Sequence, residues 1–350
     1  MKRHGYLYGK VCEMENLHLA HKNASRGKMH YTEVKMVDSD PDYYLNLIRK
    51  MLVNKTFKNS EYTEYLKTDG PKERLIHKLP YYPDRIIHHA IMQILEPIWF
   101  GSLVRDTYSA IKGRGIHDGV KRIQKALKDV GNTRYCLKMD VRKFYPSIDN
   151  DILKTIIRRK IKDPDLVWLL DEIINSAQGV PIGNYLSQYF GNIYLSGLDH
   201  WMKESLSVQY YFRYCDDFVI LSASKIELHA LRKSVKTYLN RLNLNMKNNW
   251  QVFPVDSRGI DFLGYRFYHG YTLLRKSIKQ NFIVKIKTIC KTWHKLSHSQ
   301  IINVVMSYCG WLKYANTRNL RNKYLDNKLF WIMKHISKKQ NMKNPLQGLL

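Results

Sequence analysis

Two periods of hydrophobic spacing alternate along the chain, and their boundaries place the elements. Over 84–98, Ile86, Ile87, Ala90, Ile91, Ile94, Leu95 and Ile98 recur at helical spacing, entered through Pro83-Asp84. The same spacing predicts a helix opening at Asp163-Pro164, with Leu166, Leu169, Leu170, Ile173 and Ile174 on one face. It predicts another over 184–202, with Leu186, Phe190, Ile193, Leu198 and Trp201 inward. Further helices are expected over 41–52, from Asp151 behind an Asp149 or Asn150 cap, and over 226–242. Strand-like runs at 62–66 and 74–79 flank Thr68-Asp69-Gly70-Pro71, and an Asp-Gly between two such runs signals a hairpin. A buried strand is expected over 134–141, a facing pair over 209–214 and 218–222, and one more strand over 260–268. The last 80 residues read as helical. Phe282, Ile283, Ile286, Ile289, Cys290 and Trp293 share one face, with Lys285, Lys287, Lys291 and Lys295 turned away. The segment 299–314 is apolar nearly all round and reads as the core of that unit. The pattern is α+β: a small sheet with helices on one face, beside a basic helical module.

Length and charge sharpen this. The 350 residues suggest about two or three globular units. Twelve per cent aromatic content and a mean hydropathy of −0.44 argue against a disordered chain. No apolar run of membrane-spanning length occurs, and MKRHGYLYGKVCEMEN has no hydrophobic stretch, so neither a membrane span nor a standard secretory signal is expected. The five cysteines (Cys12, Cys136, Cys215, Cys290, Cys309) are odd in number and never spaced CxxC. That argues against a disulfide framework or a zinc site and suits a reducing, cytoplasmic compartment. Lys and Arg total 58 against 30 Asp and Glu, a net +28. Residues 271–350 alone hold sixteen Lys and Arg against one acid, Asp326. A basic surface of that size calls for a polyanion, and nucleic acid is the usual one.

Candidate chemistry sits at Tyr214-Cys215-Asp216-Asp217, between two hydrophobic strands. Adjacent carboxylates repel, and a cation would relieve them, although an ordinary polar turn accounts for the pair equally well. A second acidic strand end, Asp140 in Leu137-Lys138-Met139-Asp140-Val141, weakens the ordinary reading. If the strands are neighbours, Asp140 and Asp216 converge into a carboxylate site suited to Mg²⁺. Two such ions about 4 Å apart activate a 3′-hydroxyl and steady a pyrophosphate leaving group.

With those residues in view, the chain resembles a reverse transcriptase over roughly 60–320. CLKMDVRKFYPSIDN at 136–150 is similar to the family's first catalytic motif, RYCDDFVILS at 213–222 to its YxDD motif, and IDFLGYRF at 260–267 to its primer grip. Segments 83–94 and 107–115 resemble its fingers region, and SYCGWLKYAN at 307–316 a bacterial thumb helix. The resemblance implies a right-hand fingers–palm–thumb polymerase with a small antiparallel palm sheet and a helical basic thumb. It divides the chain into a basic N-terminal extension (1–60), fingers (61–134), palm (135–268, with a fingers insertion near 150–185) and thumb with basic tail (269–350). It implies Asp140 and Asp216 as ligands of two Mg²⁺ (Mn²⁺ a possible substitute), with the Val141 carbonyl a further ligand and Asp217 a supporting catalytic carboxylate. Tyr145 matches the aromatic gate that excludes a ribose 2′-hydroxyl. Lys72 and Arg74 lie where the family binds the incoming triphosphate, and Lys247 near the lysine that protonates pyrophosphate. Phe262, Leu263 and Gly264 fall in the primer grip. Implied partners are template RNA, an RNA–DNA hybrid and dNTPs. His21, Lys22, Arg26 and Lys28 are further candidates for RNA contact, against the alternative of a solvated tail.

One departure narrows the subclass. Most members read QGxxxSP where this chain reads Ile182-Gly183-Asn184-Tyr185-Leu186-Ser187-Gln188. Ile182 replaces a glutamine that contacts the incoming nucleotide, so hydrogen-bond readout is lost and discrimination is expected to fall. Gln178-Gly179 is too far from Ser187 to substitute. The IGxxxSQ form resembles reverse transcriptases of diversity-generating retroelements, which copy a template-repeat RNA with errors at adenines, assisted by a small basic accessory protein, in a bacterial or phage-infected cell. A packing role for Ile182 stays open. So do a defence-associated reverse transcriptase copying a non-coding RNA and a non-catalytic RNA-binding protein on the same fold. Retrons and group II intron maturases match less well, the former lacking their VTG and NAxxH segments here, the latter their QG and a following DNA-binding or endonuclease domain.

Overall fold

The computed structural model describes residues 3–69, 72–325 and 327–339. Four helices open the chain: α1 (Tyr8–Cys12), α2 (Met14–Ala24), α3 (Thr32–Ser39) and α4 (Pro41–Val53). A hairpin follows, β1 (Thr63–Asp69) with β2 (Lys72–Lys78), and then α5 (Ile86–Phe100) and α6 (Ile116–Ala126). Next come β3 (Tyr135–Asp140), α7 (Asn150–Arg158), α8 (Pro164–Asn175) and α9 (Ser187–His200). β4 (Tyr210–Tyr214), β5 (Asp217–Ser222), α10 (Lys225–Arg241), β6 (Gln251–Pro254) and the single turn α11 (Val255–Arg258) continue the chain. Three short strands, β7 (Ile260–Phe262), β8 (Tyr265–Phe267) and β9 (Thr272–Leu274), precede α12 (Lys276–Thr292), α13 (His298–Leu312), α14 (Arg318–Tyr324) and α15 (Asn327–Lys339). Among the described residues no helix is long and apolar enough to cross a membrane.

The strands form a hairpin, a four-stranded sheet in the order β4-β5-β3-β6, and a three-stranded sheet β7-β8-β9. The chain divides into two compact units. One comprises Met1–Lys112, Met139–Phe218 and Leu231–Trp250, the other Gly113–Lys138, Val219–Ala230 and Gln251–Leu350.

In the first unit, the N-terminal 60 residues differ from the polar, basic extension expected. α2 lays Leu17, Ala20 and Ala24, spaced for one helical face, into the core against α5. Asn16 Nδ2 donates to the Ala90 carbonyl, and Gln93 Nε2 donates back to the Asn16 carbonyl. The stripe is narrow and rich in alanine, which is why the hydrophobic pattern understates it. His21 is buried, bonded to Asp38 and to the Tyr81 hydroxyl, so it is no RNA contact. Lys22 and Arg26 are exposed. The β1–β2 hairpin pairs in register from Thr63↔Lys78 to Asp69↔Lys72; its expected turn residues Gly70 and Pro71 lie outside the described residues. α9 begins at Ser187, three residues later than expected. The Asn184 carboxamide oxygen accepts from the Leu186 amide, and such local side-chain bonding competes with helix.

The core of this unit holds a full charge. Arg213, wholly buried on β4, donates to both carboxylate oxygens of the equally buried Asp199 on α9, from Nε at 2.7 Å and from Nη2 at 2.5 Å. The Tyr211 hydroxyl and Thr107 Oγ1 also donate to Asp199. Burial works against the Arg213 charge, and Asp199 outweighs it, so the guanidinium pKa moves up. An arginine inside the strand sequence Tyr-Tyr-Phe-Arg-Tyr is tolerable only with such a partner.

In the second unit, residues 260–268 form a hairpin rather than the single strand expected. Leu263 (φ 53°) and Gly264 (φ 84°) both have positive φ and reverse the chain between β7 and β8. Positive φ at two consecutive turn residues is the type I′ requirement. A Cβ on Gly264 would stand 2.6 Å from Trp311 Cζ3, so the turn sits flush on α13. Phe282, Ile286 and Ile289 of α12 are buried while Lys285, Lys287, Lys291 and Lys295 are exposed, as the spacing requires. α13 starts at a capping box between Ser297 and Gln300. It buries Ile301, Val305, Cys309 and Leu312 but exposes Met306, so it is one-sided rather than apolar all round. Residues 340–350 of the basic tail lie outside the described residues.

Two stability predictions follow from the first unit. Asp199→Ala leaves Arg213 as an uncompensated buried charge, expected to cost about 3–5 kcal/mol in chemical denaturation. A midpoint unchanged from wild type would show that the pair is not the anchor described. On α5, burial lowers the pKa of both His88 and His89 from 6.5 to about 3. A neutral folded histidine means that the unfolded chain binds the extra proton. Their stabilisation is therefore complete above pH 6.5 and declines as pH falls toward 3, by up to about 1.4 kcal/mol per pH unit for each. His88→Gln with His89→Gln should flatten that slope in denaturation series from pH 7 to 4.

Candidate active site

β4 and β5 are joined by two residues, Cys215 and Asp216, so Asp217 already opens β5. The turn needs one residue at positive φ, and Cys215 supplies it at 52°. That conformation is strained for a side-chain-bearing residue and persists where the surroundings enforce it. Arg213 does so: its Nη1 donates to the Cys215 carbonyl at 2.9 Å. The Asp216 carbonyl in turn accepts from the Val141 amide at 3.3 Å, which ties the turn to the end of β3. The Asp140 and Asp216 carboxyls thereby lie close enough to interact electrostatically.

Electrostatics mark this pair. Burial, and then the neighbouring Asp140, push the Asp216 carboxyl up to about 7. Asp140 Oδ1 is buried and has no hydrogen-bond partner, while its Oδ2 is paired with Lys247 Nζ. The Lys247 amide also donates to the Asp140 carbonyl at 2.8 Å. Two carboxylates held together, one oxygen orphaned and another resting on an ammonium, are a site short of positive charge. Among the described residues no three His, Cys, Asp or Glu side chains converge. The donor set therefore suits Mg²⁺, which accepts one or two carboxylates and fills its remaining positions with water and phosphate, rather than zinc.

Tyr145 stands beside the turn, its hydroxyl 3.6 Å from Cys215 Sγ. Gly191 on α9 gives its ring room, since a Cβ there would lie 3.1 Å from Tyr145 Cε1. The Tyr145 carbonyl accepts from the Val180 amide, and Gly179 packs so closely that a Cβ would come 2.6 Å from the Pro146 carbonyl oxygen. Gly179 is thus a close-packing residue of the Tyr145 segment.

Ile182 and Gly183 dock against the β1–β2 hairpin instead. The His77 amide donates to the Ile182 carbonyl at 2.7 Å, and a Cβ on Gly183 would stand 2.6 Å from the His77 carbonyl oxygen. Gly183, at φ 117°, is required for that approach. Arg74 is exposed on β2, and Lys72 opens that strand, its side chain outside the described residues. Phe262, Leu263 and Gly264 form the β7–β8 turn of the second unit, where Phe262 is buried and the Arg275 amide donates to the Gly264 carbonyl. Sequence reasoning did not single out Arg213, Asp199 or Ser109, whose hydroxyl accepts from Cys215 Sγ at 2.8 Å. The available signal was the arginine within an otherwise apolar strand.

Comparison with known proteins agrees with this geometry. The family model for "Reverse transcriptase (RNA-dependent DNA polymerase)" matches residues 65–267, more than half of the chain. Protein YkfC of Escherichia coli K12 is 25% identical over 259 residues, covering 60% of this chain and 66% of YkfC. The group II intron-encoded protein LtrA of Lactococcus lactis is 21% identical over 300 residues, covering 65% of this chain and 47% of LtrA. The chain thus spans about half to two thirds of the length of these relatives. Apo telomerase from Candida tropicalis superposes with a TM-score of 0.50 at 12% identity, over 81% of this chain and 59% of that one. At that identity the likeness concerns the fold alone: it is the α+β polymerase fold with small antiparallel sheets that the sequence predicts. The matched span contains the Asp140–Asp216 pair and the turn that presents it, and the chain belongs to the reverse transcriptase family.

Proposed function

We propose that the protein is an RNA-directed DNA polymerase of a diversity-generating retroelement, copying a template-repeat RNA into cDNA with errors at template adenines. The observation that carries the polymerase reading is the Asp216 carboxyl presented on a two-residue turn against Asp140, with Asp140 Oδ1 unpartnered. Asp140 and Asp216 would hold the two Mg²⁺, with the Val141 carbonyl as a further ligand. When bound, the ions supply a 3′-oxygen nucleophile and neutralise the charge of the leaving pyrophosphate. Asp217 supports the pair from the first position of β5. Lys247 Nζ, paired with Asp140 in the free protein, is near enough to this centre to deliver a proton to a pyrophosphate oxygen. Tyr145 would close the space beside the sugar against a 2′-hydroxyl, and Lys72 and Arg74 would bind the triphosphate.

In this reading residues 61–134 act as fingers, 135–268 as palm with an insertion near 150–185, and 269–350 as thumb and tail, whose exposed lysines would follow the phosphates of an RNA–DNA hybrid. Phe262, Leu263 and Gly264 would grip the primer. The N-terminal 60 residues, helical and packed into the first unit, are a structural part of the polymerase. The retroelement assignment rests on Ile182-Gly183 followed by Ser187-Gln188. An isoleucine at that position offers the nucleotide no amide. A small basic accessory protein is the partner expected in such an element.

Primer extension on a mixed-sequence RNA template, with the cDNA sequenced, tests both levels. Asp216→Ala should lower dNTP incorporation by at least about a hundredfold while leaving RNA binding intact. Equal synthesis by the variant would remove the catalytic assignment, and RNA binding without synthesis by wild type would leave a non-catalytic RNA-binding protein. Errors concentrated opposite template adenines support the retroelement role, and Ile182→Gln should then reduce them several-fold. Sparse, evenly spread errors would favour a defence-associated enzyme copying a non-coding RNA.

A further inference from the structure

The hydroxyl of Tyr145 is held from the side of the Cys215-Asp216 turn by a relay that starts at the half-buried Cys215 and reaches back through buried groups to the ionic core. Tyr145 donates to Cys215 Sγ at 3.6 Å, and Cys215 Sγ lies 2.8 Å from Ser109 Oγ. Ser109 is buried, and its carbonyl accepts from Asn192 Nδ2 at 2.6 Å. The Asn192 carboxamide oxygen accepts from Arg213 Nη1 at 3.4 Å, and the same Nη1 holds the Cys215 carbonyl. Thus Arg213 and Asn192 fix the backbones on both sides of the Cys215–Ser109 contact. The positive φ of Cys215 is part of the geometry that brings the thiol there.

A thiol has one proton to give, and sulfur is a weak acceptor. With Ser109 Oγ taking the thiol proton, the sulfur lone pairs are left facing Tyr145, which can then donate to them. Without Ser109, the thiol proton has no fixed acceptor and competes with the tyrosine's own donation. Next to the hydroxyl-bearing carbon, ring atom Cε1 packs on α9 at Gly191, where no side chain intervenes. Ring position therefore depends on close packing against α9 and on this hydrogen bond.

We infer that Ser109, acting through Cys215, is a positioning residue that sets how strictly Tyr145 excludes ribonucleotides. The inference rests on the gate role proposed for Tyr145. A gate that distinguishes substrates by one oxygen atom needs its ring placed to a fraction of an ångström, so a looser ring costs selectivity before it costs turnover. Ser109 reaches Tyr145 through the Cys215 thiol.

The test is single-nucleotide extension by the full chain on an RNA template, reading the ratio of kcat/KM for a dNTP to that for the matching rNTP. Ser109→Ala should lower the ratio by about two- to tenfold, the range of one neutral hydrogen bond, with dNTP kcat little changed. Tyr145→Phe, which keeps the ring and loses the hydroxyl, should lower it to a similar extent. Adding Ser109→Ala to Tyr145→Phe should then change nothing more, because both substitutions break one relay. Tyr145→Ala reports on the underlying reading: an unchanged ratio there would remove the gate role itself. If Tyr145→Ala lowers the ratio while Ser109→Ala and Tyr145→Phe match wild type, the gate stands and the relay is wrong. Additive losses in the double variant would likewise overturn it, since Ser109 would be acting by another route. Tyr145→Phe keeps the question answerable if Ser109→Ala does not fold.

Discussion

Arg213 carries a full positive charge with no access to water, and Asp199 is the carboxylate that balances it. Such a pair is neutral or even costly beside a well-packed apolar alternative, so stability alone does not account for it. What it provides is direction. Five donors in a rigid plane let one guanidinium hold Asp199, the Asn192 side chain and the Cys215 carbonyl at once. A leucine at 213 could fill the volume but could not hold the strained turn that follows.

From that anchor the site is assembled in short steps. Cys215 is held at positive φ, which puts Asp216 at the tip of a two-residue turn. The Asp216 carbonyl closes on the Val141 amide, bringing the end of β3 alongside, and Asp140 and Asp216 come into contact. Burial, and then the neighbouring Asp140, raise the Asp216 pKa, and Lys247 pairs with Asp140. The polypeptide thus builds a site whose electrostatic deficit matches a divalent cation. The strain at Cys215 is held by Arg213, which lies outside the carboxylate pair.

Tyr145 and the Ile182-Gly183 segment rest on a different set of supports. Tyr145 is placed by the bare backbone at Gly191 and by the Val180 amide, whereas Ile182-Gly183 is placed by the edge of β2. The two segments lie in different connections, β3–α7 and α8–α9, and lean on different elements, α9 for one and the hairpin for the other. The two segments are therefore held by separate contacts within one scaffold. The Gly179 and Gly183 backbones both make approaches that no Cβ would allow, although only Gly183 stands in the motif read from the sequence.

Much of this was legible in the chain itself, because it is governed by local periodicity and by the chemistry of adjacent side chains. The helical spacing of 84–98, the strands ending at Asp140 and Tyr214, and two acidic strand ends in a strongly basic chain follow from the order of residues alone. So does the polymerase family, since several motifs in sequence constrain one another. What the order of residues could not supply were matters of distance between remote segments. The N-terminal helices bury a stripe of small residues whose weak hydrophobic signal becomes a core only against α5. Residues 260–268 reverse at Leu263-Gly264, a turn against which Trp311, 47 residues downstream of Gly264, packs flush. The partnership of Arg213 with Asp199, the resting of Lys247 on Asp140 and the line from Ser109 to Tyr145 each join groups far apart in sequence. Hydrogen bonds and ion pairs of that kind depend on positions fixed to within an ångström, and only the packed tertiary structure determines them.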